Sequence, residues 1–128
     1  MSTTVELPLS ASIISFNEAA NIERMLDSIR PIASEIIVVD SHSTDNTREL
    51  AEQKGAKVFD EEWKGHIRQK NSALAKCTQP WILSLDCDEV LSVELREEVV
   101  KAVREGNRPG YQINRRTFYL SLIHISEP

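Results

Sequence analysis

Short runs of apolar, largely β-branched residues recur along this chain, and amphipathic stretches with capping residues fill the intervals. That alternation constrains the fold more than any other feature. Ser10 to Phe16, Glu35 to Asp40 and Trp81 to Leu85 are too short and too β-branched to prefer helices, and they predict buried strands. Between them, Ile22, Met25, Leu26 and Ile29 recur at helical spacing until Pro31, and Asn17 is of a type that caps such a helix. Thr47 to Lys54 predicts a second helix, stopped by Gly55. Lys57 to Phe59 reads as a short strand, Ile67 to Lys76 as a helix, and Val93 to Val103 as a charged amphipathic helix. Gly106, Pro109 and Gly110 then break the pattern before a further strand at Tyr111 to Arg115. Strands alternating with helices mean βαβ units, so the expected fold is α/β, three layers around a mainly parallel sheet.

The 128 residues suffice for one compact domain and not for two ordinary ones. With 41% hydrophobic and 27% charged residues, the chain is globular in composition. A formal net charge of −5 argues against a nucleic-acid partner, since phosphate neutralisation needs a basic surface. Cys77 and Cys87 have neither the number nor the spacing of a zinc site or a disulfide framework, so a reducing, cytoplasmic setting is expected. Met1 to Pro8 lacks the pattern of a signal peptide, and no apolar run approaches the ~20 residues that span a bilayer.

Parallel sheets bind ligands at the carboxyl ends of their strands, near the point where strand order reverses. The polar residues of this chain collect at those ends: Asn17 and Glu18 after the first strand, Asp40 at the end of the second, Asp86 and Asp88 after the strand through Leu83. Asp86, Asp88 and Glu89 repel one another unless solvated, and a divalent cation removes that cost; hard carboxylate oxygens suit Mg²⁺ or Mn²⁺. Alternatively the acids belong to a solvated turn that caps the following helix. Asp40 is placed to accept hydrogen bonds from a ribose or a base, or to serve as a turn residue in its own loop. Glu18 is favoured near a helix N-terminus in any case. Lys64, Arg68 and Lys70 either neutralise a diphosphate or form a solvated face. His42 and His66 lack partners at ligand spacing. No Gly-rich phosphate loop and no nucleophile elbow is present.

Four motifs, SFNE at Ser15–Glu18, IIVVD at Ile36–Asp40 with STDNT at Ser43–Thr47, QKN at Gln69–Asn71 and WILSLDCDE at Trp81–Glu89, follow in the order seen in family 2 glycosyltransferases. The resemblance extends from about Ser10 to Tyr119, and is similar in particular to bacterial enzymes that add glucose to the inner core of lipopolysaccharide. It implies the nucleotide-binding half of a GT-A fold. It further implies that Asn17, Glu18 and Asp40 contact the uridine of a UDP-sugar, that Lys70 faces the nucleotide, and that Asp86 and Asp88 form the DxD motif, Asp88 being the more direct metal ligand. Family members invert the anomeric centre, a carboxylate deprotonating the acceptor hydroxyl. The implied acceptor is a lipopolysaccharide core or related glycan, and the implied location the cytoplasm or the cytoplasmic face of the inner membrane. The family-like text ends near Leu120, so residues 1–120 are expected to form one domain, Ser121 to Pro128 are expected to be a non-native tail, and the catalytic base is expected to lie outside the chain. The isolated chain should then bind donor and metal without efficient transfer. A catalytically silent nucleotide-binding module and a sugar nucleotidyltransferase are the alternatives. A phospho-acceptor signalling domain fits less well, because it needs paired acids after the first strand, where this chain has Asn17 and Glu18.

Overall fold

Alternation along the first strand sets the layers. Leu7, Leu9, Ala11 and Ile13 enter one hydrophobic cluster, whereas Ser10, Ser12 and Ile14 face the other side of the sheet. The computed structural model describes residues 7–87, 90–105, 111–114 and 119–124. Its elements are β1 (Leu7–Ser15), α1 (Ile22–Ile29), β2 (Ala33–Asp40), α2 (Thr47–Gln53), β3 (Lys57–Asp60), α3 (His66–Lys76), β4 (Trp81–Asp86), α4 (Val93–Glu105), β5 (Tyr111–Asn114) and β6 (Tyr119–His124). The strands form one sheet in the order β3-β2-β1-β4-β6-β5. The first four are mutually parallel, as the βαβ alternation predicts, and β5 and β6 add an antiparallel flank.

The main core lies between the sheet and the layer of α1, α2 and α4. There Ile22, Met25, Leu26 and Ile29 of α1 meet Ala51 of α2, Val99 and Val103 of α4, and the inward residues of β1, β2 and β4. Each fully buried aliphatic side chain contributes roughly 1.5–3 kcal/mol relative to exposure. A smaller cluster, Ile37, Val39 and Ala73, seats α3 on the opposite face. The expected three layers are therefore present. No helix among the described residues is long and apolar enough to cross a membrane.

Two details of the sequence reading change. Asn17 does not cap α1, whose N-cap is Asn21; Asn17 occupies a left-handed conformation (φ 51°) four residues earlier, where the chain turns out of β1. The sheet also runs past Leu120, because β6 continues through Ser121–His124 and pairs antiparallel with β4. Pairing fixes where those residues lie and has no bearing on their origin. Gly55 ends α2 as expected, with φ 91° and the Ala56 amide reaching back 3.1 Å to the Ala51 carbonyl.

The order of strands places the topological switch between β1 and β4, since β2 and β3 are laid down on one side of β1 and β4 on the other. Register aligns Ile14 with Asp86 across that boundary and Ser15 with Asp40 on the far side of β1. The carboxyl ends of three strands thus finish at one level.

Candidate functional site

Loops leave that level, and those after β1 and β2 are stitched together by their own short polar side chains. The Asn17 carboxamide oxygen accepts the Thr44 amide at 2.8 Å, and the Asn17 amide donates to the Ser43 hydroxyl at 2.8 Å. The Glu18 amide donates to the Thr47 hydroxyl at 2.9 Å. Asp45 receives both the Thr47 amide and the Thr47 hydroxyl, binding the loop after β2 to the start of α2. The loops after β1 and β2 are therefore tied to each other. Most of the STDNT motif acts in this way, as an internal hydrogen-bonding kit.

Asp40 anchors the kit from below. It has no exposed surface; Ser15 donates to it at 2.7 Å, the Ser43 amide at 2.8 Å, the Ser43 hydroxyl at 2.6 Å, and Arg48 of α2 at 3.1 Å. The two-residue period of the strands explains the placement. Val38 and Asp40 face the α1–α2 layer, whereas Asp86 follows Ser84 onto the α3 side. The two acids that the sequence sets on a common edge share its level and diverge across its faces. Direct contact between Asp40 and a nucleotide would require Ser15, Ser43 or Arg48 to let go.

Glu18 and Asp86 do share a cleft. It measures about 390 Å³, sits over the β1–β4 switch, and is bounded by Ile14, Phe16, Trp63 and His66. Asp86 has half its side chain exposed, at 51%, and the ammonium of Lys70 on α3 stands 3.8 Å from its carboxylate. Lys70 of the QKN motif thus stands beside Asp86. Lys64 is turned away to Glu61 at 3.0 Å, and Arg68 is exposed on α3. Asp88 and Glu89 lie outside the described residues. Among the described residues no group of three His, Cys, Asp or Glu side chains is arranged to hold a metal ion. The donor set nevertheless fits Mg²⁺ or Mn²⁺, because such ions are held by one or two carboxylates completed by water and substrate phosphate, and Asp86 presents a solvent-facing carboxylate at the cleft.

Sequence reasoning missed the walls. Phe16 is 55% exposed and Trp63 51% exposed; both border the cleft and also a second pocket of about 360 Å³ next to Ser41. His66 meets the Trp63 ring edge-on, centroids 5.9 Å apart. Gln69 is fully buried and donates from its amide nitrogen to the Ser41 hydroxyl at 2.9 Å. Sequence signals for these were the SFNE motif for Phe16, the Trp63 and Gly65 between the third strand and the third helix, and the QKN motif for Gln69. Gly65, at φ 98°, opens α3 and accepts the Gln69 amide at 2.9 Å, which fixes where Gln69 falls.

The model of glycosyl transferase family 2 matches residues 10–125. The chain belongs to that family. An uncharacterised glycosyltransferase of Rickettsia bellii is 46% identical over 111 residues, which is 87% of this chain and 38% of the relative. The lipopolysaccharide core biosynthesis glycosyltransferase LpsC of Rhizobium meliloti is 36% identical over 128 residues, covering 95% of this chain and 47% of that protein. Among solved structures, glucosyl-3-phosphoglycerate synthase of Mycobacterium tuberculosis, in complex with Mn²⁺, UDP and glucosyl-3-phosphoglycerate, superposes with a TM-score of 0.67 at 26% identity over 81% of this chain and 42% of that one. The mannosyltransferase PcManGT of Pyrobaculum calidifontis, in complex with GDP-mannose and Mn²⁺, shares the fold at a TM-score of 0.72 and 19% identity, covering 94% of this chain and 45% of that one. The chain thus shares the GT-A fold of these glycosyltransferases and spans well under half the length of the first of these relatives.

Proposed function

We propose that this chain is the donor-binding part of an inverting, metal-dependent transferase that moves a sugar, glucose, from a UDP-sugar to a lipopolysaccharide-core or related glycan acceptor. The observation that carries the reading is the cleft at the β1–β4 switch, where Glu18 and Asp86 face one space and Lys70 stands beside Asp86. Support for UDP and Mn²⁺ comes from the complexes of glucosyl-3-phosphoglycerate synthase, and support for the acceptor from the LpsC relative.

In this reading Asp86 and Asp88 hold the cation, and Lys70 adds a second positive charge beside the diphosphate. A bound divalent cation supplies Lewis acidity to the departing diphosphate, a contribution of several kcal/mol in typical sites. Asn17 and Glu18 line the nucleotide side, while Asp40 keeps the loop of Ser41–Ser43 in shape beneath it. The base that deprotonates the acceptor hydroxyl belongs to the portion of the relatives that this chain does not span, so the chain alone binds donor and cation and transfers sugar inefficiently. A lipid-linked acceptor would place the reaction at the cytoplasmic face of the inner membrane.

Calorimetric titration with UDP, in Mn²⁺ and in chelator, tests the reading. We expect binding that depends on Mn²⁺ and that Asp88→Asn reduces to the level measured in chelator. Equal affinity in both conditions would remove the metal role of the acidic motif. Efficient sugar transfer by the 128-residue chain would refute the assignment of the base to residues outside it.

A further inference from the structure

The smaller pocket, of about 360 Å³, is bounded by the rings of Phe16 and Trp63 and by Ser41. Two exposed rings bordering one space suit a flat heteroaromatic group, which gains stacking on any π face. Among the described residues Ser41 is the one polar member of that lining, and its chemistry is set from behind. The Lys64 backbone N–H can only donate, and it donates to the Gln69 side-chain oxygen at 3.2 Å. That contact orients the Gln69 amide, so its nitrogen faces Ser41 and donates to the hydroxyl oxygen at 2.9 Å. Both residues are buried, Gln69 completely and Ser41 to within 6%. With its oxygen already accepting, Ser41 has its own hydroxyl hydrogen left to give, and among the described residues no acceptor takes it.

We propose that Ser41, polarised by Gln69, selects nucleotides whose base presents a carbonyl oxygen over those that present an amino group at the same position. Trp63 and Phe16 hold the ring between them. The inference rests on the donor-nucleotide reading above and adds the base preference to it. A carbonyl at the pocket floor accepts the free hydrogen, whereas an amino group can only donate to the remaining lone pair of the hydroxyl and leaves that buried hydrogen without an acceptor. UDP and CDP differ in this way at C4, with N3 a donor in the first and an acceptor in the second, and Ser41→Ala isolates the part of the difference that the hydroxyl reads.

The test uses the 128-residue chain in Mn²⁺, titrated calorimetrically with UDP and CDP while tryptophan emission is followed. Of the two tryptophans, Trp81 is buried, so quenching reports on Trp63. We expect UDP to bind about tenfold tighter than CDP, with quenching by UDP alone, without an attached sugar. Ser41→Ala should remove the difference, mainly by weakening UDP. Gln69→Glu should reverse it, because a carboxylate takes the Ser41 hydrogen and turns an oxygen lone pair toward the pocket. Should the buried carboxylate unfold the chain by circular dichroism, Ser41→Ala decides alone. Equal affinities in the unmodified chain, an unchanged preference in Ser41→Ala, or quenching that needs the sugar moiety would each overturn the proposal. Failure of both nucleotides to bind would instead strike the donor-binding reading on which it stands.

Discussion

Asp40 is a carboxylate with no exposure to water, sustained by Ser15, Ser43 and the partly exposed guanidinium of Arg48. Truncation to Ala would leave those donors facing one another around a small void. A buried donor left unsatisfied costs about 1–3 kcal/mol, and loss of a charged partner adds to that, so Asp40→Ala should lower stability by about 2–4 kcal/mol. Urea unfolding of the two proteins measures it, and a loss below about 0.5 kcal/mol would mean that the loop does not depend on this anchor. The same residue shows how far the site was legible. The position of Asp40 at a strand end could be read from the apolar run before it, and its level in the sheet followed from parallel pairing. Its direction could not, because a strand's absolute face is fixed only by which helices cover it. Phe16 and Trp63 were hidden for a related reason: exposure of an aromatic ring depends on packing around it, and nothing in the local pattern encodes that.

At the scale of elements, the junction of β3 with α3 is held by Glu61. Its carboxylate receives Lys76 at 2.7 Å, Lys64 at 3.0 Å and the Ser72 hydroxyl at 2.6 Å, and Lys76 also lies 5.2 Å from the centre of the Phe59 ring. The hydrogen bonds from Lys76, Ser72 and Lys64, in that order, hold the Glu61 carboxyl down from 4.5 to about 2. A carboxylate with a depressed pKa stabilises the fold above its unfolded value and loses that contribution as pH falls. The stability difference between the unmodified chain and Glu61→Gln should therefore be full at neutral pH and shrink as pH drops from 4.5 toward 2. Urea midpoints measured at several pH values check this, and a difference that stays constant through that window would show the junction to be neutral in effect. The elements themselves were largely readable, since the apolar runs at Ile13, Val38 and Leu83 and the helical spacing of α1 each reflect burial on a single element. What escaped was the partnership of elements: β6 depends on β4 for its pairing, and Asn17 on Thr44 for its left-handed turn, across gaps that no local window spans.

Over the whole molecule, the proposed ligand meets residues from separate parts of the chain: Glu18 after β1, Ser41 after β2, Trp63 before α3, Lys70 within it and Asp86 at the end of β4. None of these elements can hold the ligand alone, so binding is available to the folded state and not to the unfolded one. Folding stability must then rise with ligand concentration, by about 2.7 kcal/mol at a hundredfold excess over the dissociation constant. For a domain of this size that corresponds to an upward shift in melting temperature of roughly 10 °C. UDP with Mn²⁺ should produce the shift, and Asp88→Asn should lose most of it without melting at a lower temperature in the absence of ligand, because removing one charge from acids adjacent in sequence relieves repulsion. Asp40→Ala should show the opposite signature, a lower melting temperature without ligand and a ligand-dependent shift that survives wherever the loop still forms. The two variants thus separate an acid that meets the ligand from an acid that builds its site. If UDP and Mn²⁺ left the melting temperature unchanged at concentrations that saturate calorimetric binding, the bound nucleotide would have to be recognised equally by the unfolded chain, and a site assembled from three strand ends would be ruled out.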